Sequence, residues 1–142
     1  PGLRDGYRLD GGRRAIAACW IYERILSMVK KLQNIYFPVE DVDSYAAFLE
    51  QALGLTLKFR GGDRWVQFDC GNSSLSVSAP SEAPPGVSNP VPVLEVDDIA
   101  AARIRITEMG GTILDERDMG DHGRTLAFAA PNGHVLQLLE RA

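Results

Sequence analysis

The feature that most constrains this chain is an internal repeat. Residues 34–57, NIYFPVEDVDSYAAFLEQALGLTL, and residues 91–114, VPVLEVDDIAAARIRITEMGGTIL, follow the same plan. Each segment begins with an alternating strand, continues through an acidic turn at Asp41 or Asp98, and enters a helix that ends at glycine. Aspartate in the first turn complements the helix dipole, and glycine after the last turn is the usual helix terminator. The repeat therefore predicts two copies of one folding unit.

Three short strands are predicted after the helix in each copy. They fall at about 55–60, 63–70 and 73–79 in the first copy, and at about 112–117, 124–129 and 133–139 in the second. Glycine-containing pairs supply the hairpin turns between strands, because glycine adopts the backbone angles that tight turns require. These pairs are Gly61-Gly62, Gly71-Asn72 and Asn132-Gly133. The predicted unit is β-α-β-β-β, made twice.

The rest of the chain divides into an N-terminal part and a linker. The first module is predicted to span 32–79 and the second 91–142, and the Pro- and Ser-rich segment 80–90, PSEAPPGVSNP, connects them. Residues 1–31 are predicted to be an extension that contains an amphipathic helix, because apolar side chains recur there with helical spacing. That stripe consists of Ala18, Ile21, Tyr22, Ile25, Leu26 and Val29.

Composition restricts the partners and the compartment. The formal net charge is −4, and no stripe of Lys and Arg offers a footprint to phosphates, so nucleic acid is not expected as a partner. Glu23 and Arg24 interrupt the N-terminal apolar run before it is long enough to cross a membrane. Cys19 and Cys70 are predicted to be reduced thiols, and the protein is predicted to be cytoplasmic.

Two segments resemble the vicinal oxygen chelate superfamily, the group of glyoxalases, bleomycin-resistance proteins and extradiol dioxygenases. FPVEDVDSYAAFLEQALGL, 37–55, is similar to that family's strand-turn-helix ending in Leu-Gly-Leu. DHGRTLAFAAPNGHVLQLLE, 121–140, looks like its closing hairpin, with a Gly-Arg pair and a Pro-Asn-Gly turn before the last strand. The resemblance covers roughly residues 32–140. It implies an α+β fold in which two tandem βαβββ modules form a cupped mixed sheet, with helices outside and a small-molecule cavity inside.

Strand alternation predicts which side chains face that cavity. Successive residues of a strand point to opposite faces, and the apolar set must lie under the helices. The opposite set then faces the cup, and its only carboxylates are Asp69 and Glu95. The full set is Asn34, Tyr36, Trp65, Gln67, Asp69, Ser74, Ser76, Ser78, Val91, Val93, Glu95, Thr125, Ala127, Val135, Gln137 and Leu139.

The resemblance also implies where a metal ion would be held. Metal-dependent members place His and Glu ligands on the first and last strand of each module, and these positions fall on Asn34, Ser76, Val91 and Gln137. None of the four residues is a histidine, a cysteine or a carboxylate, which are the side chains that offset the lost hydration of a divalent ion. We therefore expect no metal ion and no other cofactor in the cup.

Other catalytic patterns are missing from the sequence as well. It contains no phosphate-binding loop and no dinucleotide fingerprint, and the serines between residues 73 and 78 have no histidine placed to activate them. Trp65 and Tyr36 are suited to stacking on a planar or cationic ligand, although core filling explains aromatic residues equally well. We expect a metal-free binding protein whose ligand is a small organic molecule. The predicted wall residues are Asn34, Tyr36, Trp65, Gln67, Ser76 and Gln137, with His122 and Arg124 at the lip.

Two alternatives stay open at this point, along with the assembly. One is a metal-dependent lyase, isomerase or dioxygenase of the same superfamily that recruits His122, Glu95 or a residue of a partner chain to hold Ni, Zn, Mn or Fe. The other is an interaction module whose cup is filled by its own side chains, which a cavity below about 300 Å³ would favour. The resemblance further implies a homodimer, to whose interface the N-terminal helix would contribute.

Overall fold

The computed structural model describes residues 28–142, in which both copies of the repeat form the predicted strand, helix and three strands. The first module contains β1 (Val29–Pro38), α1 (Val42–Leu53), β2 (Thr56–Gly61), β3 (Trp65–Asp69) and β4 (Ser74–Ser78). The second contains β5 (Val91–Val96), α2 (Ile99–Glu108), β6 (Thr112–Asp118), β7 (Arg124–Ala129) and β8 (Val135–Glu140). Short 3₁₀ turns lie at Pro80–Glu82 and Gly120–His122. The predicted α+β class with two βαβββ units is confirmed.

The described strands form one mixed sheet of eight, in the order β2-β3-β4-β1-β5-β8-β7-β6. Within each module the first strand runs parallel to the last, and the remaining pairs are antiparallel hairpins. The two first strands, β1 and β5, pair with each other in antiparallel orientation at the centre of the sheet. The strand order therefore reads the same from either edge, as the sequence repeat requires.

Both helices begin after the aspartates that the sequence indicated, and α1 also ends at its predicted glycine, whereas α2 ends at Glu108 with Met109 rather than Gly110 as its C-cap. The Asp41 carboxylate accepts a hydrogen bond from the Ser44 backbone N–H at 3.0 Å, and Asp98 accepts one from Ala101 at 3.1 Å. Each carboxylate satisfies a backbone donor that the first helical turn leaves unpaired. Gly54 ends α1 in the left-handed conformation, with its N–H donating to the Glu50 carbonyl. These caps fix where each helix starts above the sheet.

Each helix packs on the sheet of its own module and defines a separate hydrophobic cluster. In the first cluster Val42, Ala46 and Leu49 of α1 cover Val66, Phe68 and Val77. In the second cluster Ile99 and Ala102 of α2 cover Val96, Leu126 and Leu138. Full burial of a large apolar side chain contributes roughly 1.5–3 kcal/mol, so the two clusters fix which face of the sheet the helices occupy. The other face is left for the cavity.

The structure corrects the boundary of the N-terminal part. Residues 29–31, predicted to end a helix, belong to β1, where Val29 lies opposite Val96 and Lys31 lies opposite Glu95. Pairing with β5 satisfies their backbone groups, and Lys30 Nζ lies 2.9 Å from Asp97 Oδ1 across the strands. The remainder of the predicted helix, and Cys19, lie outside the described residues.

The linker does more than connect the modules. Ala83 is buried and packs, together with Val87, against Tyr36, Val91 and Val93 in a third apolar cluster on the cavity side of the sheet. The segment therefore covers part of the cavity face.

Among the helices of residues 28–142, none is long and apolar enough to cross a membrane.

Gly123 offers a test of how the second module closes. Its φ is +94°, and a Cβ atom placed there would collide with the carbonyl oxygen of Glu140 at the end of β8. We predict that Gly123→Ala lowers the free energy of unfolding by about 3 kcal/mol or more, because backbone strain and overpacking add. Gly71→Ala is the control. Gly71 also has a positive φ, but a Cβ atom placed there would have no neighbouring atom within 4 Å, so the substitution should cost about 1 kcal/mol. Equal losses in urea denaturation would contradict this packing.

Candidate functional site

A cavity of about 430 Å³ lies on the side of the sheet opposite the helices, and both modules contribute to its walls. Six of the eight predicted site residues line it: Asn34, Tyr36, Trp65, Gln67, His122 and Gln137. Register explains how distant parts of the sequence meet there. Asn34 on β1 pairs with Val93 on β5, which in turn pairs with Gln137 on β8. Nine of the sixteen residues that strand alternation predicted to face the cup thus line one space.

The other two predicted residues are placed differently. Ser76 is fully buried and lies behind Asn34, to whose Oδ1 its hydroxyl donates a hydrogen bond at 2.9 Å. Arg124 is exposed and is not among the residues that line the cavity. It alternates in phase with Leu126, which packs under α2, so the rule that was applied to the rest of β7 directs Arg124 away from the cup. The placement of Arg124 at the lip is therefore corrected.

The two carboxylates expected in the cup are also placed differently. Asp69 is exposed and accepts a hydrogen bond from the Gly71 backbone N–H at 2.9 Å. Glu95 is buried but does not line the cavity, and Arg141 Nε donates to its Oε1 at 3.1 Å. The carboxylates that do line the cavity are Asp115 on β6 and Glu82 in the linker. The expectation that Asp69 and Glu95 are the only cup-facing carboxylates was wrong.

A β-bulge explains why alternation does not reveal Asp115. Ile113 lies opposite Phe128 on the helix side of the sheet, whereas Asp115 lies opposite Ala127 on the cavity side. Leu114 is an extra residue between these two pairs, and an extra residue reverses the face on which the following side chains lie. After the bulge, the side chains of Asp115 and Arg117 therefore face the cavity.

The first module has the same irregularity at the matching point of its repeat. Leu57 lies opposite Phe68, Phe59 lies opposite Gln67, and Lys58 is the extra residue between them. Phe59 consequently lines the cavity, although it shares parity with a helix-facing leucine. Sequence alternation missed this residue for the same reason that it missed Asp115. No turn glycine or proline marks either bulge in the sequence.

The charged residues at the cavity margin are paired with one another. Arg117 Nε donates to Asp115 Oδ2 at 2.8 Å, and its terminal nitrogens reach the linker carbonyls of Glu82 and Ala83 at 3.4 and 3.5 Å. The Glu82 carboxylate accepts from Arg64 Nη2 at 2.7 Å. Each cavity-lining carboxylate therefore has a guanidinium partner, and Arg117 also ties the linker to β6.

Four carboxamides line the cavity, namely half-buried Gln33 and the three side chains of Asn34, Gln67 and Gln137. In each of these last three, the amide oxygen accepts a hydrogen bond from a donor of the protein itself. Tyr36 Oη donates to Gln137 Oε1 at 2.7 Å, and Trp65 Nε1 donates to Gln67 Oε1 at 3.0 Å. Ser76 completes the set with its bond to Asn34. Among the described residues, none accepts a hydrogen bond from the three amide nitrogens. The NH₂ groups of these three residues are thus able to donate to a ligand, alongside the polar side chains of Gln33, Thr125 and His122.

Tyr36 holds the centre of this wall. Its side chain is 1% exposed, packs between the linker and β5, and meets the Trp65 ring at a centroid distance of 5.3 Å. Burial disfavours the charged phenolate and raises the pKa of Tyr36 to about 12 from its ordinary 10.0. The hydroxyl is therefore protonated at neutral pH and serves as the donor to Gln137.

The positions that hold a metal in metal-dependent relatives do not fit a cation here. Val91 is fully buried in an apolar cluster and has no ligand atom. The oxygens of Asn34 and Gln137 face internal donors, and the hydroxyl of Ser76 is itself donating. Within residues 28–142 there is no group of three His, Cys, Asp or Glu side chains arranged to hold a metal ion. His122 is exposed at the margin of the cavity.

Comparison with known proteins agrees with the fold. The family described as Glyoxalase/Bleomycin resistance protein/Dioxygenase superfamily matches residues 31–138, which confirms the resemblance inferred from the two segments. No curated protein matches the sequence.

Solved structures share the architecture at low sequence identity. Methylmalonyl-CoA epimerase from Mycobacterium tuberculosis is 17% identical, with 81% of this chain and 90% of that chain covered and a TM-score of 0.63. A glyoxalase/bleomycin resistance protein/dioxygenase superfamily member from Vibrio splendidus 12B01 is 19% identical, with 78% and 99% covered and a TM-score of 0.60. A structure described as NAD-dependent benzaldehyde dehydrogenase from Legionella pneumophila is 16% identical, with 77% and 98% covered and a TM-score of 0.64. At these identities the likeness establishes the fold alone.

The raised pKa of Tyr36 predicts a specific dependence of stability on pH. Because the folded-state pKa lies above the unfolded value, the contribution of the neutral phenol is fully present below pH 10 and is lost as pH rises towards 12. We expect the native protein to lose about 2–3 kcal/mol more than Tyr36→Phe over this range, since one pKa unit corresponds to about 1.4 kcal/mol.

Denaturant titrations at pH 9, 10, 11 and 12 measure this difference. Tyr45→Phe is the matched control, because it removes the hydroxyl of a half-buried tyrosine on α1 and leaves Tyr36 in place. Tyr45→Phe should lose as much unfolding free energy between pH 10 and pH 12 as the native protein does. The same pH dependence in Tyr36→Phe and in the native protein would contradict the assignment.

Proposed function

Because this chain belongs to the glyoxalase/bleomycin resistance protein/dioxygenase superfamily, we propose that it binds a small organic molecule in the cavity and does so without a metal ion. The proposal depends on one observation: the amide oxygens of Asn34, Gln67 and Gln137 each accept a hydrogen bond from a side chain of the protein. A divalent ion needs oxygen or nitrogen lone pairs, and an amide NH₂ group offers none. An organic ligand can accept hydrogen bonds from the same groups.

The size and lining of the cavity support an organic ligand. Its volume of about 430 Å³ falls within the roughly 300–1,000 Å³ typical of small-molecule pockets. Phe59 and Trp65 contribute aromatic surface, while a few polar groups are placed to orient a ligand. This volume also argues against the alternative in which the cup is filled by its own side chains.

The enzymatic alternative has less support from the geometry. A metal-dependent lyase, isomerase or dioxygenase would recruit His122, Glu95 or a residue of a partner chain, and of the first two His122 is exposed and Glu95 lies outside the cavity lining in contact with Arg141. Sequestration, as in bleomycin-resistance proteins of similar plan, requires only complementary binding groups. The homodimer and the cytoplasmic location stay predictions.

A thermal-shift experiment separates the two functions. The full chain, without a His-tag and dialysed against chelator, is heated with equimolar Zn²⁺, Ni²⁺, Mn²⁺ or Fe²⁺, and separately with a panel of planar organic molecules. We expect at least one organic compound to raise the unfolding midpoint, and the metals to leave it unchanged. A ligand at one hundred times its Kd stabilises the folded state by about 2.7 kcal/mol, which is a shift of several degrees.

A pair of tryptophan variants locates the binding. Thr125→Trp places an indole on the cavity face of β7, whereas Thr112→Trp places one at an exposed position of β6 away from the lining. The first variant should abolish the organic-ligand shift, and the second should retain it. A midpoint raised by an equimolar metal, with organic compounds binding only in its presence, would overturn the proposal and favour the enzyme.

A further inference from the structure

The chemistry of the cavity wall restricts the kind of organic molecule that fits it. Asn34, Gln67 and Gln137 stand on β1, β3 and β8, so the three carboxamides are distributed across both modules. A free carboxamide offers both a donor and an acceptor and selects for neither. In these three residues an internal donor already engages one lone pair of the oxygen, whereas the NH₂ group has no hydrogen-bond partner among the described residues.

The three internal donors differ in how strictly they determine the orientation of the amide that they contact. The indole N–H of Trp65 can only donate, so the atom of Gln67 that faces it must be the oxygen. Tyr36 is buried and protonated, and its hydroxyl donates to Gln137 within an otherwise apolar cluster. Ser76 has 0% exposure and turns the oxygen of Asn34 towards β4. The donor's chemistry alone fixes the orientation of Gln67, whereas Gln137 and Asn34 each accept from a hydroxyl in the structure. The NH₂ group of each of the three has no hydrogen-bond partner among the described residues.

We propose that the cavity recognises a planar organic acid, whose carboxylate accepts hydrogen bonds from these amide nitrogens while its ring lies against Trp65 and Phe59. The proposal rests on the function proposed above, namely an organic ligand bound without a metal. It goes further by naming the ligand class.

A carboxylate fits such a wall better than other polar groups do. It accepts through two oxygens and donates nothing, whereas an ammonium group would point N–H groups at N–H groups and an amide would accept through one neutral oxygen only. Hydrogen bonds to an ionised acceptor are about twice as strong as those between neutral groups. The cavity-lining carboxylates Asp115 and Glu82 already face Arg117 and Arg64, so their charges are offset.

The test compares three probes that share one ring system. Isothermal titration calorimetry of the full chain is carried out with 2-naphthoate, 2-naphthamide and 2-naphthylmethylammonium. We expect 2-naphthoate to bind at least about tenfold more tightly than either other probe, the difference typical of a charge-assisted hydrogen bond.

Isosteric variants locate the effect on the amide wall. Gln67→Glu keeps the oxygen that Trp65 binds but replaces the NH₂ group by a second acceptor oxygen, and Gln137→Glu does the same beside Tyr36. Each substitution should weaken the binding of 2-naphthoate at least about tenfold, because a hydrogen-bond donor is replaced by an anion that repels the ligand. Gln51→Glu, at an exposed position of α1, makes the same change in charge outside the cavity and should bind like the native protein.

The outcomes distinguish this inference from the proposed function. If 2-naphthamide or the ammonium probe binds as well as 2-naphthoate, or if Gln51→Glu weakens binding as much as Gln67→Glu, the carboxylate inference is overturned while organic binding stands. Absence of binding by all three probes also overturns the inference. Binding of 2-naphthoate that requires added metal overturns the proposed function itself.

Discussion

The antiparallel pairing of β1 with β5 is the interaction on which the rest of the structure depends. Neither module has a cavity wall of its own that is complete, because Asn34 and Tyr36 come from the first module while Val93 and Gln137 come from the second. Pairing of Asn34 with Val93, and of Val93 with Gln137, brings residues about one hundred positions apart into one wall. The helices, each capped by its own aspartate, cover the opposite face and leave this one free.

Hydrogen bonds within the protein orient the amide side chains of this wall in the absence of a ligand. Tyr36, Trp65 and Ser76 each satisfy one amide oxygen, and burial keeps the Tyr36 phenol protonated so that it can donate. Internal hydrogen bonds of this kind orient flexible carboxamides and lower the ordering cost of binding. The cavity wall of this scaffold presents neutral donors, while the charged groups at the margin are paired with one another.

Much of the fold and part of the site could be predicted from sequence, because they follow from local rules. The repeat, the Asp41 and Asp98 caps and strand alternation were sufficient to place Asn34, Trp65 and Gln137 in the cavity. Alternation fails at a bulge, which depends on pairing between strands rather than on either strand alone. The cup-facing set predicted from sequence contains no residue of β2 or β6, and alternation extended to these strands would have misplaced Phe59, Asp115 and Arg117.

Other differences have separate causes. Arg124 was placed at the lip beside His122 although its parity with Leu126 opposed this, and Val29 had helical spacing but pairs with β5.

Neutron diffraction from crystals of the deuterium-exchanged protein tests the central claim most directly, because it distinguishes an amide oxygen from an ND₂ group. The account predicts that Gln67, Gln137 and Asn34 turn their oxygens to Trp65, Tyr36 and Ser76, with the deuterated nitrogens facing the cavity. Deuterated nitrogens pointing at Tyr36 and Ser76, with amide oxygens facing the cavity or gripping a cation, would contradict it.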